Sequence, residues 1–180
     1  ALFQVVEVAA EAVTFHTRSG DLIASRKPPG VQLDFPTDPP QPCTTPPGVL
    51  DALHLEPEMI ENTAYGAQTR KLLLHLKQSA PLRQLKPDFS ALLEAEGVER
   101  IRGLIVTAEG KPPYDFISRY FAPWVGIPED PVTGSAHTVL IPYWEKRLGK
   151  SSLHAYQASA RGGKLWGEWI PNDQDGADRV

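Results

Sequence analysis

The sequence predicts an α+β fold in which a sheet wraps around one central helix. Short apolar stretches typical of strands recur along the chain, glycine-containing turns separate them, and the longest helical pattern, residues 133–148, lies among them. That helix carries Ala136, Val139 and Leu140 at helical spacing, so it needs enclosure by other elements. With 41% hydrophobic and 22% charged residues, the composition also favours a packed core.

The remaining elements are predicted from periodicity and from turn residues. In chain order they are the end of a helix at 1–6, a hairpin of 12–17 and 21–25 closed at Gly20, a strand at 31–35, a helix at 48–55, strands at 59–65 and 71–77, a helix from Asp88 to a stop at Gly97, strands at 102–108 and 114–121, a loop at 122–131, and strands at 153–160 and 164–170. Pro142 is expected to kink or interrupt the central helix. Two glycines at 162–163 are interpreted as a hairpin turn rather than an anion-binding nest.

Six prolines between Pro36 and Pro47 divide the chain. Because proline blocks both helix propagation and sheet pairing, this segment is expected to be extended and exposed. We assign residues 1–40 to the remnant of an N-terminal half-domain, 41–47 to a proline-rich linker and 48–180 to a C-terminal half-domain. The chain opens without a methionine and closes where another strand could begin, so both ends are interpreted as cut.

Charge and hydropathy narrow the classes of partner. A formal charge of −4 leaves no basic excess to neutralise phosphates, so neither nucleic acid nor an anionic membrane is an expected partner. No apolar run approaches the roughly 18 to 20 residues of a membrane span, and the N-terminus lacks a signal-peptide pattern. We therefore predict a cytoplasmic protein that binds a small molecule.

Metal and thiol chemistry are not expected. The histidines at 16, 54, 75 and 154 fall in different predicted elements and lack close ligand spacing. Cys43 is the only cysteine, which excludes an internal disulfide and a zinc site with two thiolates. It lies in the proline segment without a neighbouring base to activate it. Neither a metal nor an organic cofactor is predicted.

The segment before the central helix is the candidate site. Pro131 biases Asp130 toward an extended conformation, Thr133 or Ser135 is able to cap the helix, and Gly134 allows a ligand to approach the backbone. The free amides of a first helical turn, with the positive end of the dipole, stabilise a bound carboxylate by roughly 0.3 to 1 kcal/mol. Asp130 would then accept a hydrogen bond from the substrate or orient a second catalytic group. The alternative is that Asp130 and Thr133 only cap the helix.

Neighbouring side chains leave two interpretations open. His137 lies one turn inside the helix and either faces the pocket or packs in the core. The aromatic residues that bracket the site either line a pocket for an aromatic substrate or belong to the core. They are Tyr120, Phe121, Trp124, Tyr143 and Trp144.

The site segment resembles the signature of PhzF-like proteins, which include the phenazine biosynthesis-like domain proteins of animals. It reads Asp130-Pro131-Val132-Thr133-Gly134-Ser135-Ala136-His137. The resemblance extends to Arg119-Tyr120-Phe121-Ala122-Pro123-Trp124-Val125-Gly126, to Tyr143-Trp144 and Leu148-Gly149-Lys150, and to Gln157-Ala158-Ser159-Ala160-Arg161-Gly162-Gly163. It covers the whole chain and is strongest between residues 114 and 165.

The resemblance implies a diaminopimelate-epimerase-like fold, in which two α+β halves each wrap a sheet around a central helix and the active site lies between them. In the family, an acid/base glutamate and a glycine-histidine pair come from the first half, and the matched aspartate and glycine-serine from the second. By this analogy Asp130 assists catalysis, and Gly134 and Ser135 bind a substrate carboxylate. Thr133 and His137 complete the candidate substrate-binding set.

The resemblance also implies a cofactor-independent isomerase that transfers a proton by general acid/base catalysis on a small carboxylated, possibly cyclic, substrate. Family members are often dimers, so a homodimer is a possible assembly. The glutamate and the glycine-histidine pair have no counterpart in this chain, and we expect the isolated chain to be inactive. Two alternatives remain open, a non-catalytic module that binds a small ligand or a protein, and an epimerase or racemase of the diaminopimelate epimerase type. The second alternative needs two thiols, whereas the chain has only Cys43.

Overall fold

A computed structural model of the chain describes residues 10–17, 20–28, 30–172 and 178–180. Its strands are β1 Ala12–Thr17, β2 Gly20–Lys27, β3 Gly30–Asp34, β4 Gln41–Pro42, β5 Ile60–Gly66, β6 Lys71–Leu76, β7 Gly103–Glu109, β8 Phe116–Ala122, β9 Ile127–Glu129, β10 Ser152–Gln157 and β11 Gly163–Glu168. Its α-helices are α1 Val49–Leu53, α2 Ser79–Gln84, α3 Phe89–Glu94 and α4 Gly134–Leu148. The elements confirm the predicted α+β class.

The strands form two sheets. β1, β2 and β3 make a small antiparallel sheet, and the other strands make a mixed sheet in the order β11-β10-β8-β7-β6-β5-β4, with β9 paired to β8. Two pairs in the large sheet are parallel, β6 with β7 and β8 with β10. A parallel pair requires a crossover connection, which α2 and α3 supply for the first pair and α4 for the second.

The two faces of the large sheet bury separate cores. On β6, Leu72, Leu74 and Leu76 belong to the core formed with α1, α2 and α3, whereas Leu73 belongs to the core formed with α4. This alternation follows from the two-residue side-chain period of a strand. β6 is buried along its whole length, so it reads as a nearly continuous apolar run.

α4 packs along one face of the large sheet. The ring of Trp144 stacks on Phe116 with centroids 5.5 Å apart, and its indole N–H donates to Thr107 Oγ1 over 3.0 Å. Val139 and Leu140 are fully buried in the same core. The apolar face predicted for residues 133–148 is therefore the face that α4 buries.

The prediction that Pro142 interrupts the central helix is wrong. α4 continues from Gly134 to Leu148 with Pro142 inside it. Proline has no N–H to donate to the carbonyl four residues earlier, which belongs to Thr138. The Asp38 N–H donates to that carbonyl over 2.9 Å, so the acceptor left free by Pro142 is satisfied from outside the helix.

The proline segment differs from the exposed linker that its composition predicts. Thr37 and Asp38 are buried, and β4 pairs with β5 at the edge of the large sheet. Proline is tolerated on an edge strand because one row of its backbone groups has no partner to lose. Cys43 is exposed, as expected for this segment, and its N–H donates to Thr63 O over 3.1 Å.

Residues 178–180 join the two sheets. Phe35 and Val180 exchange two backbone hydrogen bonds of 2.9 Å, and Thr37 N donates to Asp178 O over 2.8 Å. The Arg179 side chain donates from Nε to Asp34 Oδ1 over 2.8 Å. These contacts connect the end of β3 to the larger body of the protein.

Most predicted elements are found within a few residues of their expected bounds. The predicted helix at Asp88 is capped by the Asp88 carboxylate, which accepts from the amides of Ser90 and Ala91 over 3.0 Å. Three of these strands and α-helices were not predicted, β4, α2 and β9. The helix expected at residues 1–6 lies outside the described residues. No helix in the described ranges combines the length and apolar character needed to cross a membrane.

Candidate functional site

Asp130 lies between β9 and the start of α4, on the face of the large sheet that α4 covers. Its N–H donates to Tyr120 O over 3.1 Å, which continues the pairing of β9 with β8 past Glu129. The side chain is half-buried. The sheet therefore fixes the backbone of Asp130 while its carboxylate stays within reach of a ligand.

Thr133 holds the carboxylate of Asp130, and Gln157 holds its backbone carbonyl. Thr133 Oγ1 donates to Asp130 Oδ2 over 2.7 Å. The buried carboxamide of Gln157 donates from Nε2 to Asp130 O over 2.7 Å and to Thr133 Oγ1 over 3.2 Å, and its Oε1 accepts from Thr133 N over 2.8 Å. The N–H and the hydroxyl of Thr133 are thus both hydrogen-bonded within the protein. The arrangement leaves Asp130 Oδ1 without a partner among the described residues.

The first turn of α4 packs against the small sheet at Gly134. A Cβ built on Gly134 would lie 3.0 Å from Leu33 Cδ1 and 3.4 Å from Phe35 Cε2, so β3 approaches the first turn closely. Ser135 is exposed. No hydrogen bond joins the N–H groups of Gly134 and Ser135 to any residue in the described ranges, so both remain available to an anion.

His137 points away from the amides and toward the core. Its Nδ1 donates to Thr133 O over 2.9 Å, and its ring lies 6.1 Å from that of Phe116. Only 7% of the residue is exposed. Burial lowers the pKa of His137 to about 4, so the imidazole is neutral and its Nε2 is buried without a partner.

Tyr120 and Lys71 are further ionisable groups on this face. Burial, together with the Asp130 carboxylate, raises the pKa of Tyr120 to about 12, so its hydroxyl stays protonated. Burial lowers the pKa of Lys71 to about 8, against the opposing effect of the Asp38 carboxylate. Lys71 was not predicted as a site residue, because a lysine at the start of an apolar strand is typical of a solvated strand end.

The turn between β10 and β11 packs against Pro131 and Val132, next to Asp130. Ser159 Oγ donates to Pro131 O over 2.7 Å and accepts from Gly162 N over 3.1 Å. A side chain at Gly163 would collide with Val132, so the two segments are in close contact. The pair of glycines forms a hairpin turn, as predicted, and the turn holds the residues on either side of Asp130.

No group of three histidine, cysteine, aspartate or glutamate side chains in the described part of the chain is arranged to hold a metal ion.

Comparison with known proteins decides the family. A family model described as phenazine biosynthesis-like protein, PhzC-PhzF, matches residues 1–175. The chain belongs to the PhzC-PhzF family. Phenazine biosynthesis-like domain-containing protein 1 of Mus musculus is 44% identical over 174 residues, which are 91% of this chain and 60% of that protein. An uncharacterized isomerase of Pseudomonas aeruginosa is 44% identical over 165 residues, covering 92% of this chain and 59% of the relative.

Solved structures agree with this assignment. A PhzF family protein of Enterococcus faecalis superimposes with a TM-score of 0.79 at 38% identity, covering 99% of this chain and 64% of that one. A predicted epimerase of Pseudomonas aeruginosa, at 16% identity and a TM-score of 0.59, shares the fold. This PhzC-PhzF chain spans about 60% of the length of the curated relatives that it matches. The predicted resemblance of the chain to this family is confirmed.

Proposed function

We propose that this chain carries one half of the active site of an isomerase that moves a proton on a small carboxylated substrate by general acid/base catalysis, without a cofactor. The observation that carries the proposal is the Asp130 carboxylate, which Thr133 and Gln157 hold beside the free amides of α4. Relatives named as isomerases support the reaction class.

In this mechanism the amides of Gly134 and Ser135 bind the substrate carboxylate. Two N–H groups and the positive end of a 15-residue helix stabilise the anion by roughly 0.3 to 1 kcal/mol beyond the hydrogen bonds themselves. Asp130 Oδ1 then accepts a hydrogen bond from a substrate hydroxyl or ammonium group. Because Thr133 Oγ1 already holds Oδ2, the free oxygen has a defined direction.

We infer that the proton is carried by a glutamate outside this chain. A diaminopimelate-epimerase-like arrangement of two halves would place that glutamate and a glycine-histidine pair opposite Asp130, across the cleft between the halves. We propose further that the protein is cytoplasmic. We also propose that it acts as a dimer of such two-half subunits. On this view the isolated chain binds a carboxylate but does not turn it over.

Solvent deuterium incorporation tests the proposal. Small cyclic amino or hydroxy carboxylates are incubated in D₂O with this chain, and with a longer protein that supplies the expected glutamate. Exchange is expected only with the longer protein, and Asp130→Asn in it should slow exchange by about 10²-fold. Asp51→Asn, at an exposed position of α1, is the matched control and should leave the rate unchanged. Exchange by the isolated chain would contradict its predicted inactivity.

A non-catalytic binding module is the second candidate. The observation that favours it is that the amides of Gly134 and Ser135 make no hydrogen bond within the described residues, while Tyr120, an ionisable group near Asp130, has its pKa raised to about 12 and stays protonated. Carboxylate binding by the longer protein without any deuterium exchange would establish this alternative. An epimerase that uses two thiols has less support, because the sequence contains one cysteine, Cys43.

A further inference from the structure

The Gln157 carboxamide has one possible orientation beside the candidate site. Gln157 ends β10 and is fully buried, its Oε1 accepts from Thr133 N over 2.8 Å, and its Nε2 donates to Asp130 O over 2.7 Å. Exchanging the two groups would place Nε2 against an N–H, which only donates, and Oε1 against a carbonyl, which only accepts. The two backbone partners therefore fix which end of the carboxamide carries the hydrogens.

This orientation also fixes the direction of the next hydrogen bond. The second hydrogen of Gln157 Nε2 is shared with Thr133 Oγ1, 3.2 Å away, so the hydroxyl oxygen accepts there. A hydroxyl has one hydrogen to donate, and the other partner of Thr133 Oγ1 is Asp130 Oδ2, 2.7 Å away. A hydrogen bond to a carboxylate oxygen is charge-assisted and roughly twice as strong as a neutral one. The hydrogen bonds thus run in one direction, from Gln157 through Thr133 to Asp130.

The turn that follows Gln157 anchors the same segment by the same rule. The Gly162 N–H donates to Ser159 Oγ over 3.1 Å, so the single hydrogen of this hydroxyl is directed to Pro131 O, 2.7 Å away. Side chains of one stretch of the chain therefore hold two successive carbonyls of the site segment. Because Ser159 holds Pro131 without Gln157, the segment keeps one anchor when the carboxamide is altered.

Asp130 presents its two carboxylate oxygens differently as a result. Oδ2 accepts from the Thr133 hydroxyl, whereas Oδ1 accepts from no residue in the described ranges. A Thr133 hydroxyl that was free to turn away would leave both oxygens open, and the carboxylate would then rotate between several positions. Groups that are already held in the geometry of a reaction lower its barrier, because less freedom remains to be lost. The bond to Oδ2 is therefore what gives Oδ1 a defined direction.

We propose that Gln157 is a positioning residue of the candidate site, because its carboxamide directs the Thr133 hydroxyl to Asp130 Oδ2 and keeps Oδ1 as the oxygen that binds a substrate hydroxyl or ammonium group. Gln157 does not contact the substrate, since both of its polar groups are bonded to Asp130 and Thr133. The inference rests on the proposed function and adds to it a residue from β10.

Gln157→Glu keeps the length of the side chain and changes its hydrogens. A glutamate has no hydrogen to donate when it is ionised and one when it is protonated, so it cannot serve both Asp130 O and Thr133 Oγ1. NMR measures the effect in this chain through the three-bond couplings that report the side-chain rotamer of Asp130. The wild type is expected to show a single rotamer, and Gln157→Glu should lose it and show averaged couplings.

Substitutions at Thr133 test the same bond from its other end. Thr133→Val has nearly the shape of threonine without the hydroxyl and should also give averaged couplings, whereas Thr133→Ser retains the hydroxyl and should keep the single rotamer. Gln84→Glu, at an exposed position of α2, is the matched control for Gln157→Glu and should keep the wild-type couplings. Averaged couplings in the wild type, or a single rotamer in Gln157→Glu or in Thr133→Val, would overturn the proposal.

The wild type also gives a readout that needs no substitution. The Thr133 hydroxyl proton, enclosed between the carboxamide and the carboxylate, should exchange with water at least about tenfold more slowly than the hydroxyl proton of exposed Thr14. Equal exchange of the two protons would show that the Thr133 hydroxyl is not held and would refute the proposal.

Deuterium exchange by the longer protein separates this inference from the proposed function. Gln157→Glu should lower kcat there by about 10²-fold, because Asp130 is misplaced, with a smaller change in KM, because the amides of α4 are unaltered. A lower kcat without averaged Asp130 couplings would contradict the positioning role. Averaged couplings in a longer protein that never exchanges deuterium would support that role and refute the isomerase alone.

Discussion

Gln157 is the residue on which the geometry of Asp130 depends most directly. It is fully buried at the end of β10, and its carboxamide makes hydrogen bonds to Asp130 O, Thr133 N and Thr133 Oγ1. A single side chain thus fixes the backbone on both sides of Pro131. Asparagine is one methylene shorter and could not reach the same partners, so glutamine is required for its length as well as its amide.

Gln157→Met tests this role. Methionine fills a similar volume but leaves the Thr133 N–H and the Asp130 carbonyl buried without a partner, so the free energy of unfolding should fall by about 2 to 3 kcal/mol. Urea denaturation measures the change. Gln84→Met, at an exposed position of α2, should change it by less than about 0.5 kcal/mol. Equal effects of the two substitutions would show that the hydrogen bonds of Gln157 contribute little.

His137 predicts how stability depends on pH. Its pKa is about 4 in the folded protein and 6.5 in the unfolded chain, because burial disfavours the imidazolium. Between these pH values the unfolded state binds more protons, so the unfolding free energy is constant above pH 6.5 and falls as the pH drops toward 4. The loss from this residue should reach about 2 to 3 kcal/mol.

His137→Gln should flatten this dependence. The amide of glutamine is able to donate to Thr133 O as Nδ1 does, and it does not titrate. His75 has a pKa lowered to about 4 by burial and by Arg147, so about half of the slope should remain. Urea denaturation at a series of pH values measures it, with His54→Asn on the exposed end of α1 as control. A slope that His137→Gln leaves unchanged would refute the assignment.

At the scale of residues, sequence patterns identify what is contiguous and miss what the fold assembles. Asp130, Thr133 and Gly134 are close in the chain, so a proline and a helix start were enough to predict that they share a site. Gln157 and Lys71 reach the same face from other strands. Gln157 opens a segment that carries the family resemblance, but its bonds to Asp130 and Thr133 could not be predicted, and nothing local marks Lys71.

At the scale of elements, Arg119 connects α2 to the strands that carry the site. Its guanidinium binds Glu129 on β9 through two hydrogen bonds of 2.7 and 2.9 Å. Nη1 also donates to the carbonyls of Leu82 and Leu85 at the end of α2, over 3.3 and 2.7 Å. The planar fork of arginine satisfies all these acceptors at once, which lysine cannot do.

Arg119→Met should therefore be costly. It leaves a partly buried carboxylate on Glu129 and the Leu85 carbonyl without the donors that Arg119 supplies, and the unfolding free energy should fall by about 2 to 4 kcal/mol. Lys150→Met removes the exposed Lys150–Asp115 pair, whose lysine side chain is 57% exposed, and should cost less than about 1 kcal/mol. Thermal and urea denaturation of both variants provide the comparison. A loss below 1 kcal/mol for Arg119→Met would mean that the pair contributes no more than a surface contact.

Element prediction failed where length or proline removed the periodic signal. α2 has six residues and contains Pro81, and β9 has three residues and contains Pro128, so each is too short for its periodic pattern to be recognised. Pro142 was misread for a different reason. A proline breaks a helix when its missing hydrogen bond stays unsatisfied, and here the Asp38 amide, about a hundred residues earlier in the chain, supplies the donor. The residues around Pro142 in the sequence do not indicate such a partner.

At the scale of the whole molecule, the class of fold was predictable and the order of its strands was not. Strand and helix patterns define α+β composition, but the placement of β10 beside β8, and of β7 beside β6, results from crossovers that bury apolar faces on both sides of the sheet. The way in which the small sheet is attached to the rest of the protein could not be predicted from the sequence either. It depends on backbone hydrogen bonds between residues 35–37 and 178–180. Because almost every residue carries the same backbone groups, side-chain patterns do not predict these bonds.

This attachment has a consequence for the candidate site, because β3 closes over the first turn of α4. Deleting residues 178–180 removes the carbonyls that accept from the Phe35 and Thr37 amides. Their hydrogen exchange, followed by NMR, should accelerate by about tenfold or more, since local opening no longer breaks those bonds. The Leu73 amide, in the centre of the large sheet, should keep its rate.

Arg179→Met retains the backbone bonds and loses only the ion pair with Asp34, so it should accelerate exchange much less than the deletion does. If Phe35 and Thr37 exchange at the same rate in the deletion variant and the wild type, packing of β3 against Gly134, rather than residues 178–180, holds the two sheets together.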